Sequence, residues 1–441
     1  MKLLFVSLGC DKNLVDSEVM LGLIRDRGWE ITDDENEAEA VVVNTCCFIH
    51  DAKEESINTL IEIGELKKTG KVKVLVAAGC LAQRYHDEIK EELPEVDAII
   101  GTTAYEHIVE AVETAWNGKN YEKLEELSYL PKNETTRITT TGGHYAYLKI
   151  AEGCDKHCTY CIIPKIRGDF RSVPMEKLLE EASYLALNGV KELILVAQET
   201  TLYGKDIYGE KKLPELLREL CKISGLEWIR LLYCYPEEIT DELIQVIREE
   251  NKICNYLDMP IQHCADSILK RMGRRTSKAE LVEIVTRLRR EIPDICLRTT
   301  LITGFPGETE EDHKELLDFV DAMEFDRLGV FTYSPEENTA AAKMENQIDE
   351  KVKCRRQQEL MELQQEIAFE KAEDSEGRRL MVMIEGSLPE DGVYIGRTYK
   401  DAPKVDGYIF VNSERELLSG ELVPVYVTDA KDYDLIGELI Q

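Results

Sequence analysis

From Leu3 to Phe331 the chain keeps returning to one pattern, a short apolar run followed by a stretch whose apolar residues recur at helical spacing. Strands that arrive singly between helices cannot close into hairpins, so the pattern requires crossover connections and a parallel sheet. In residues 1 to about 120 the apolar runs are Leu3–Leu8, Val41–Val43, Val72–Ala78 and Asp97–Ile100, with helices from about Val15, Ala52, Tyr85 and Ala104. The carboxyl ends of parallel strands share one edge of a sheet, and Cys10, Cys46 and Cys80 each lie just beyond such an end. Cysteines far apart in sequence thereby converge on one locus. Small thiols filling a core are the alternative, but that leaves the equivalent loop positions of all three unexplained.

A polar, threonine-rich stretch from 121 to about 142 reads as an exposed connection. Over residues 143 to 373 further strands are expected at Tyr145–Ile150, Glu192–Ala197, Trp228–Leu232, Tyr256–Asp258, Cys296–Thr303 and Arg327–Phe331. Helices at Glu176–Ala186, Leu213–Lys222, Asp241–Glu249, Lys278–Arg289 and Glu310–Met323 separate them, which suits a partial (βα)6 barrel better than a closed eight-stranded one. Asp349–Ala372 reads as a long charged helix bracing the exit from this block. From 374 to 441 the period changes. LMVMIEG, GVYIGRTY, GYIFV, ELVPVYVTDA and YDLIGELI are short alternating runs divided by Gly, Pro and Asp, the pattern of a small antiparallel β-barrel. The fold class is therefore α/β with an appended barrel.

Composition narrows the partners. Among 441 residues 54 Lys and Arg face 86 Asp and Glu, a formal charge of −32 that repels phosphate backbones and favours basic partners. The last block carries seven Lys and Arg against fourteen Asp and Glu, which argues against phosphate binding as its main task. The apolar run in Met1–Cys10 is too short for a signal peptide and meets Asp11 and Lys12 at once. No run approaches the roughly 18 residues of a membrane span, so a soluble, cytoplasmic protein is expected. Thirteen cysteines, odd in number and widely dispersed, do not resemble a disulfide framework. The Gly-rich segments lack the spacing of a Walker or dinucleotide motif.

The segment AEGCDKHCTYC follows the strand Tyr145–Ile150 and sets Cys154, Cys158 and Cys161 in a C-x3-C-x2-C arrangement on one loop. Thiolates at that spacing can hold zinc, with His157 as a fourth ligand, or a 4Fe-4S cluster with one iron open to a cofactor. This motif after the first strand of a partial barrel resembles that of the radical S-adenosylmethionine superfamily. The resemblance implies that the cofactor chelates the open iron and is cleaved by one electron to methionine and a 5′-deoxyadenosyl radical. It further implies cofactor contacts from Tyr160, from Gln198 and Glu199 at the second strand's end, and from Thr300, Ile302 and Gly304 at the fifth. Gly304 and Gly307 are read alternatively as shaping the loop around Pro306.

Taken with the three-cysteine unit before it and the TRAM-like barrel after it, the chain resembles the methylthiotransferases over essentially its whole length. In that family Cys10, Cys46 and Cys80 would hold a second 4Fe-4S cluster, and S-adenosylmethionine would serve both as methyl donor and as radical source. The segments SLGCDKNLVDSE, NTCCFIHDAKEESI, GCLAQRY, VAQETTLYG and GRTYKDAPKVDG are similar to the group that modifies a ribosomal protein. What this implies is methylthiolation of an aspartate β-carbon in small-subunit ribosomal protein number twelve, a basic partner met free or within the subunit, with the barrel as a substrate-recognition domain. An electron donor and a sulfur source are further implied partners, and no membrane is involved. Adenosine of transfer RNA is the rival substrate, and a non-catalytic metal-containing ribosome-binding scaffold the rival class.

Two residues depart from the family pattern. Cys47 stands where Gly is typical, and Cys264 where another residue is usual; each reads as a competing thiolate or as a buried packing thiol. Cys221, Cys234, Cys254, Cys296 and Cys354 read as packing residues. Lys270, Arg271, Arg274, Arg275 and Lys278 form the densest basic patch, suited to ribosomal RNA, to an acidic electron donor or simply to solvent. Arg167 and Arg171, following the cysteine loop, read as substrate-facing groups or fold-stabilising ion pairs.

Overall fold

The computed structural model describes residues 1–131, 137–388 and 392–440. Its first sheet contains β1 (Lys2–Ser7), β2 (Glu30–Thr32), β3 (Ala40–Thr45), β4 (Val74–Gly79), β5 (Ala98–Ile100) and β6 (Tyr121–Lys123). All pairs are parallel and the order is β2-β1-β3-β4-β5-β6. Central strands must be apolar on both faces when helices cover both, and Val41, Val42, Val43, Leu75, Val76 and Ala77 are fully buried. The cysteine-bearing strands β1, β3 and β4 are immediate neighbours. Two short strands, β2 and β6, lie outside the sequence expectation. The second of them corrects the reading of 121 to 142 as an exposed connection, as does the burial of Arg137 and Thr141. Arg137 donates to the carbonyl of Tyr147 and pairs with Glu18, so this segment ties the first sheet to the second. Lys132 to Thr136 of that connection lie outside the described residues.

The second sheet has six parallel strands in the order β7-β10-β11-β12-β13-β14 and stays open, as a partial barrel does. Its members are β7 (Tyr145–Lys149), β10 (Glu192–Val196), β11 (Trp228–Leu231), β12 (Ile253–Asp258), β13 (Cys296–Thr303) and β14 (Arg327–Thr332). Between β7 and β10 a two-stranded insert, β8 (Ala151–Glu152) and β9 (Arg171–Ser172), frames the C-x3-C-x2-C loop. One face of the sheet packs against its helices. The other carries Tyr145, Tyr147, Ile194, Val196, Trp228, Cys254, Tyr256 and Cys296, closed over by Val15 from the first block and by Met383 and Ala402 from the last. Cys234, Cys254 and Cys296 are buried as packing residues, whereas Cys354 is exposed and Cys221 partly exposed, which corrects the packing expectation for Cys354.

After the helix Glu350–Glu373, five strands close a barrel in the order β15-β16-β17-β19-β18. They are β15 (Arg379–Leu388), β16 (Val393–Thr398), β17 (Ile409–Asn412), β18 (Leu422–Lys431) and β19 (Asp434–Leu439). Four neighbour pairs are antiparallel, but β17 and β19 run parallel, because β18 reverses the chain between them. The β16–β17 connection docks on the open face of the second sheet. Glu192 receives Arg230 and Arg397 at 2.6 Å each, Arg327 meets Asp401 at 2.6 Å, and the Tyr256 hydroxyl donates to Asp406 at 2.8 Å. Buried pairs of this kind fix one docking geometry more than they add stability. Among the described residues no helix is long and apolar enough to cross a membrane.

Candidate functional site

The first locus forms where β1, β3 and β4 end. Cys10 caps the helix Asp11–Asp26, Cys46 follows β3 directly, and Cys80 opens the helix Cys80–Arg84. Two glycines permit this crowding. A Cβ on Gly9 (φ +90°) would stand 2.7 Å from the Cys46 Cβ, and one on Gly79 (φ +89°) would stand 2.7 Å from the Thr45 carbonyl oxygen. Asn13 then clamps the loops, its amide donating to the carbonyls of Leu8 at 3.1 Å and Thr45 at 2.9 Å. The Cys80 thiol lies 3.7 Å from Asn13 Oδ1, and the Ser56 hydroxyl holds both the N–H and the carbonyl of Cys46 at 2.9 Å. Cys46 and Cys80 are nearly buried while Cys10 is exposed, so the locus opens on one side. Burial pushes the Cys46 thiol up and the Cys80 thiol far up. Cys47 is fully buried, packs with Ile162 and Ile166, and is pushed up to about 12 by burial. It behaves as a packing thiol.

The second locus follows β7. Cys154 and Cys158 are buried and Cys161 partly so. The loop is held by its backbone. Cys154 N–H donates to Gly168 at 3.1 Å, Cys161 N–H to Cys158 at 3.0 Å, and Thr159 N–H to Met272 at 2.9 Å. Burial pushes the Cys154 thiol up to about 12. Among the described residues no three His, Cys, Asp or Glu side chains stand close enough to share one ion. A four-iron cluster, with its irons at separate corners, asks its ligands to stand further apart than zinc does.

Around this loop the expected cofactor contacts fall into two groups. Gln198 and Glu199 follow β10 on the cysteine side; Gln198 Oε1 and Glu199 Oε2 have no hydrogen-bond partner, and Glu199 is fully buried. Tyr160 and Ile302 pack in one apolar cluster with Phe305 and Tyr333. Thr300 accepts at its carbonyl from Gln262 N–H at 2.9 Å. At Gly304 the place of a Cβ is taken by the Lys353 side chain, and at Gly307 by the Arg271 guanidinium, so both glycines shape their loop. Cys264 is buried and lies 3.5 Å from the Glu315 carbonyl on an outer helix, a packing position.

Several site residues were not anticipated. The Tyr235 hydroxyl lies 4.0 Å from the Cys158 sulfur, with the Arg274 guanidinium 4.3 Å and the Lys156 ammonium 5.0 Å from its ring centroid. Arg274, expected on a basic surface, is instead almost fully buried. Tyr233, at φ 59°, reaches toward the first locus. Its hydroxyl donates to Asp11 at 3.1 Å, and the Lys12 ammonium sits 3.3 Å from its ring centroid. Tyr233 and Tyr235 follow β11, so the strand-end rule that located the cysteines would have found them.

Burial raises the Glu199 carboxyl to about 7, with Thr201 and Lys156 offsetting only part of the cost. Its folded pKa lies above the ordinary 4.5, so the folded chain binds more protons through that window and loses stability as pH rises across it. In the cofactor-free chain, Glu199→Gln should raise the thermal midpoint at pH 8. Its advantage over the native chain should grow between pH 5 and pH 8 by on the order of 2 kcal/mol. A constant difference would show that Glu199 carries no such burden.

Comparison with known proteins covers the same three blocks. Residues 2–101 match the uncharacterized protein family UPF0004, residues 148–320 the radical SAM superfamily, and residues 377–440 the TRAM domain. A ribosomal protein uS12 methylthiotransferase RimO from Lachnoclostridium phytofermentans is 67% identical over 437 residues, covering 99% of each chain. Its counterpart from Clostridioides difficile is 48% identical over 440 residues, covering 100% of this chain and 99% of that one. Among solved structures, the radical S-adenosylmethionine methyltransferase TsrM from Kitasatospora setae, with cobalamin and a [4Fe-4S] cluster bound, aligns at a TM-score of 0.54 and 15% identity. The alignment covers 95% of this chain and 83% of that one, a likeness of fold.

Proposed function

The chain belongs to the RimO family of ribosomal protein uS12 methylthiotransferases, and from that premise we propose that it adds CH3S to the β-carbon of one aspartate in uS12. The observation that carries this reading is a pair of three-cysteine loci at the strand ends of two abutting parallel sheets. Both donor sets suit iron-sulfur clusters. Each offers three thiols free of disulfides, and the second stands beside two acceptors that receive no hydrogen bond, Gln198 Oε1 and Glu199 Oε2, the latter 3.8 Å from the Lys156 ammonium and suited to a further ammonium group. Cys154, Cys158 and Cys161 would hold one 4Fe-4S cluster, and Cys10, Cys46 and Cys80 the other. When bound, the clusters and S-adenosylmethionine supply one-electron cleavage, a radical able to take hydrogen from unactivated carbon, and a methyl group for sulfur.

The chain's own residues do the rest. Gln198 and Glu199 receive the cofactor's amino group, while Tyr160 and Ile302 give its adenosyl part an apolar wall. Tyr235, with Arg274 over its ring, covers the Cys158 side of the loop and keeps water from it. Cys10 faces the opening by which the substrate aspartate would arrive, and Asp11, Lys12 and Tyr233 form a paired cluster beside it. A one-electron donor and a sulfur source complete the turnover, which takes place in the cytoplasm where ribosomes are. The net charge of −32 suits a basic protein better than a transfer RNA.

The test is mass spectrometry after anaerobic reconstitution with iron, sulfide, reductant and S-adenosylmethionine. Incubated uS12 should gain about 46 Da on one aspartate, because CH3S replaces hydrogen. Transfer RNA in the same mixture should gain nothing. Modified transfer RNA beside untouched uS12, both free and within small subunits, would overturn the substrate.

A further inference from the structure

A hydrogen-bonded path runs from the first locus, through the fully buried Arg167, to Gln198 at the strand end expected to serve the second. Arg167 lies six positions beyond Cys161, at the end of the short helix Ile163–Arg167. One of its nitrogens, Nη1, donates to Asp16 at 3.0 Å and to Glu152 at 2.9 Å. The other, Nη2, donates to Asn13 Oδ1 and lies 3.6 Å from the Cys80 sulfur. Lys149 completes the cage by pairing with Asp16 and, at 2.8 Å, with Glu152. Glu152 turns its second oxygen to the Gln198 amide at 2.9 Å. Gln198, Glu152, Arg167 and Cys80 thus form one path from the end of β10 to a cysteine of the other sheet.

Two cations and two carboxylates balance inside this cage, so charge alone asks for a second cation there but not for a guanidinium. Lys149 already meets both carboxylates. What Arg167 alone supplies is the fork that reaches past them to Asn13, the clamp of the first locus, and to the Cys80 sulfur. Resting on the two-cluster reading above, we propose that Arg167 is a positioning residue for the first locus. It holds the Cys80 thiolate in place and, by donating to that sulfur, sets the reduction potential of the cluster bound there. Its hydrogen bond and positive charge favour the more electron-rich state, so the potential falls when either is lost. Through Glu152 and Gln198 the same guanidinium is anchored to the strand end that serves the other locus, a contiguous contact between the sites.

The experiment isolates the first cluster in the full-length chain carrying Cys154→Ala, Cys158→Ala and Cys161→Ala, and reads iron content and the EPR midpoint potential. On that background Arg167→Gln should retain the cluster's iron and shift the midpoint to a more negative value. Because this variant leaves the cage one charge short, Arg167→Gln with Asp16→Asn restores neutrality and guards against misfolding. The midpoint should still fall, since the donor to sulfur is still missing. Arg167→Lys, which keeps the charge without the fork, should lie between. A midpoint unchanged in both Gln variants with iron retained would overturn the role of Arg167 and leave the two-cluster reading standing. Absence of iron from the parent triple variant would instead overturn the two-cluster reading, and this proposal with it.

Discussion

Replacing Cys154, Cys158 and Cys161 together with Ala is expected to leave about four of roughly eight bound irons and to abolish cleavage of S-adenosylmethionine. The loss should be complete because, on the proposed assignment, the electron enters the cofactor at these three cysteines, and the nearby thiols are otherwise engaged. Cys264 points to the Glu315 carbonyl, and Cys234 is sealed in the sheet–helix core. The chain should nevertheless stay folded. The loop is fixed by the backbone bonds of Cys154, Thr159 and Cys161, and the Ala341 N–H donates to the Thr159 carbonyl at 2.8 Å from another element. Iron analysis, circular dichroism and chromatographic detection of 5′-deoxyadenosine check the three parts. Unchanged iron, or zinc in its place, would refute the assignment of these cysteines.

The opposite replacement separates the two halves of the reaction. With Cys10, Cys46 and Cys80 changed to Ala, the chain should still form 5′-deoxyadenosine while uS12 gains no CH3S. The loops of the first sheet should survive, since Asn13 and Ser56 hold them through backbone carbonyls that the substitutions leave in place. Cys47 should not rescue the variant. Its thiol lies in the core that includes Ile162 and Ile166, and the Arg84 guanidinium holds the residue from two sides, donating to its carbonyl at 3.3 Å and interacting with its side chain. A triple variant that still methylthiolates uS12 at the native rate would make the amino-terminal cysteines structural.

The two sets of cysteines were legible in sequence for a physical reason. A parallel sheet converts the vague statement that a residue follows a strand into a shared edge, so Cys10, Cys46 and Cys80 could be grouped without knowing any distance. The same rule would have reached Tyr233 and Tyr235, which carry no motif. Arg167 could be noticed but not resolved, because a substrate-facing arginine and a buried one look alike until the first sheet is seen to supply Asp16 and Asn13. Arg274 was misplaced for a related reason: its neighbours in sequence are basic, but its own side chain turns inward onto Tyr235. Short edge strands such as β2 and β6 offer too few residues to show a period, and the parallel β17–β19 pair depends on strand order rather than composition.

The docking of the barrel on the open sheet alters how such an enzyme can meet a ribosome. Arg397, Asp401 and Asp406 are bound to Glu192, Arg327 and Tyr256 on the catalytic sheet itself, so the barrel is no tethered arm sweeping for prey. It is a fence bolted to the workbench. The distance from its outer surface to the cysteine loops is built in, so a partner held on the barrel would meet those loops at one fixed reach. Under the proposed reading, in which the barrel meets uS12, selection would work like a jig: the piece that fits is the one that reaches from fence to blade.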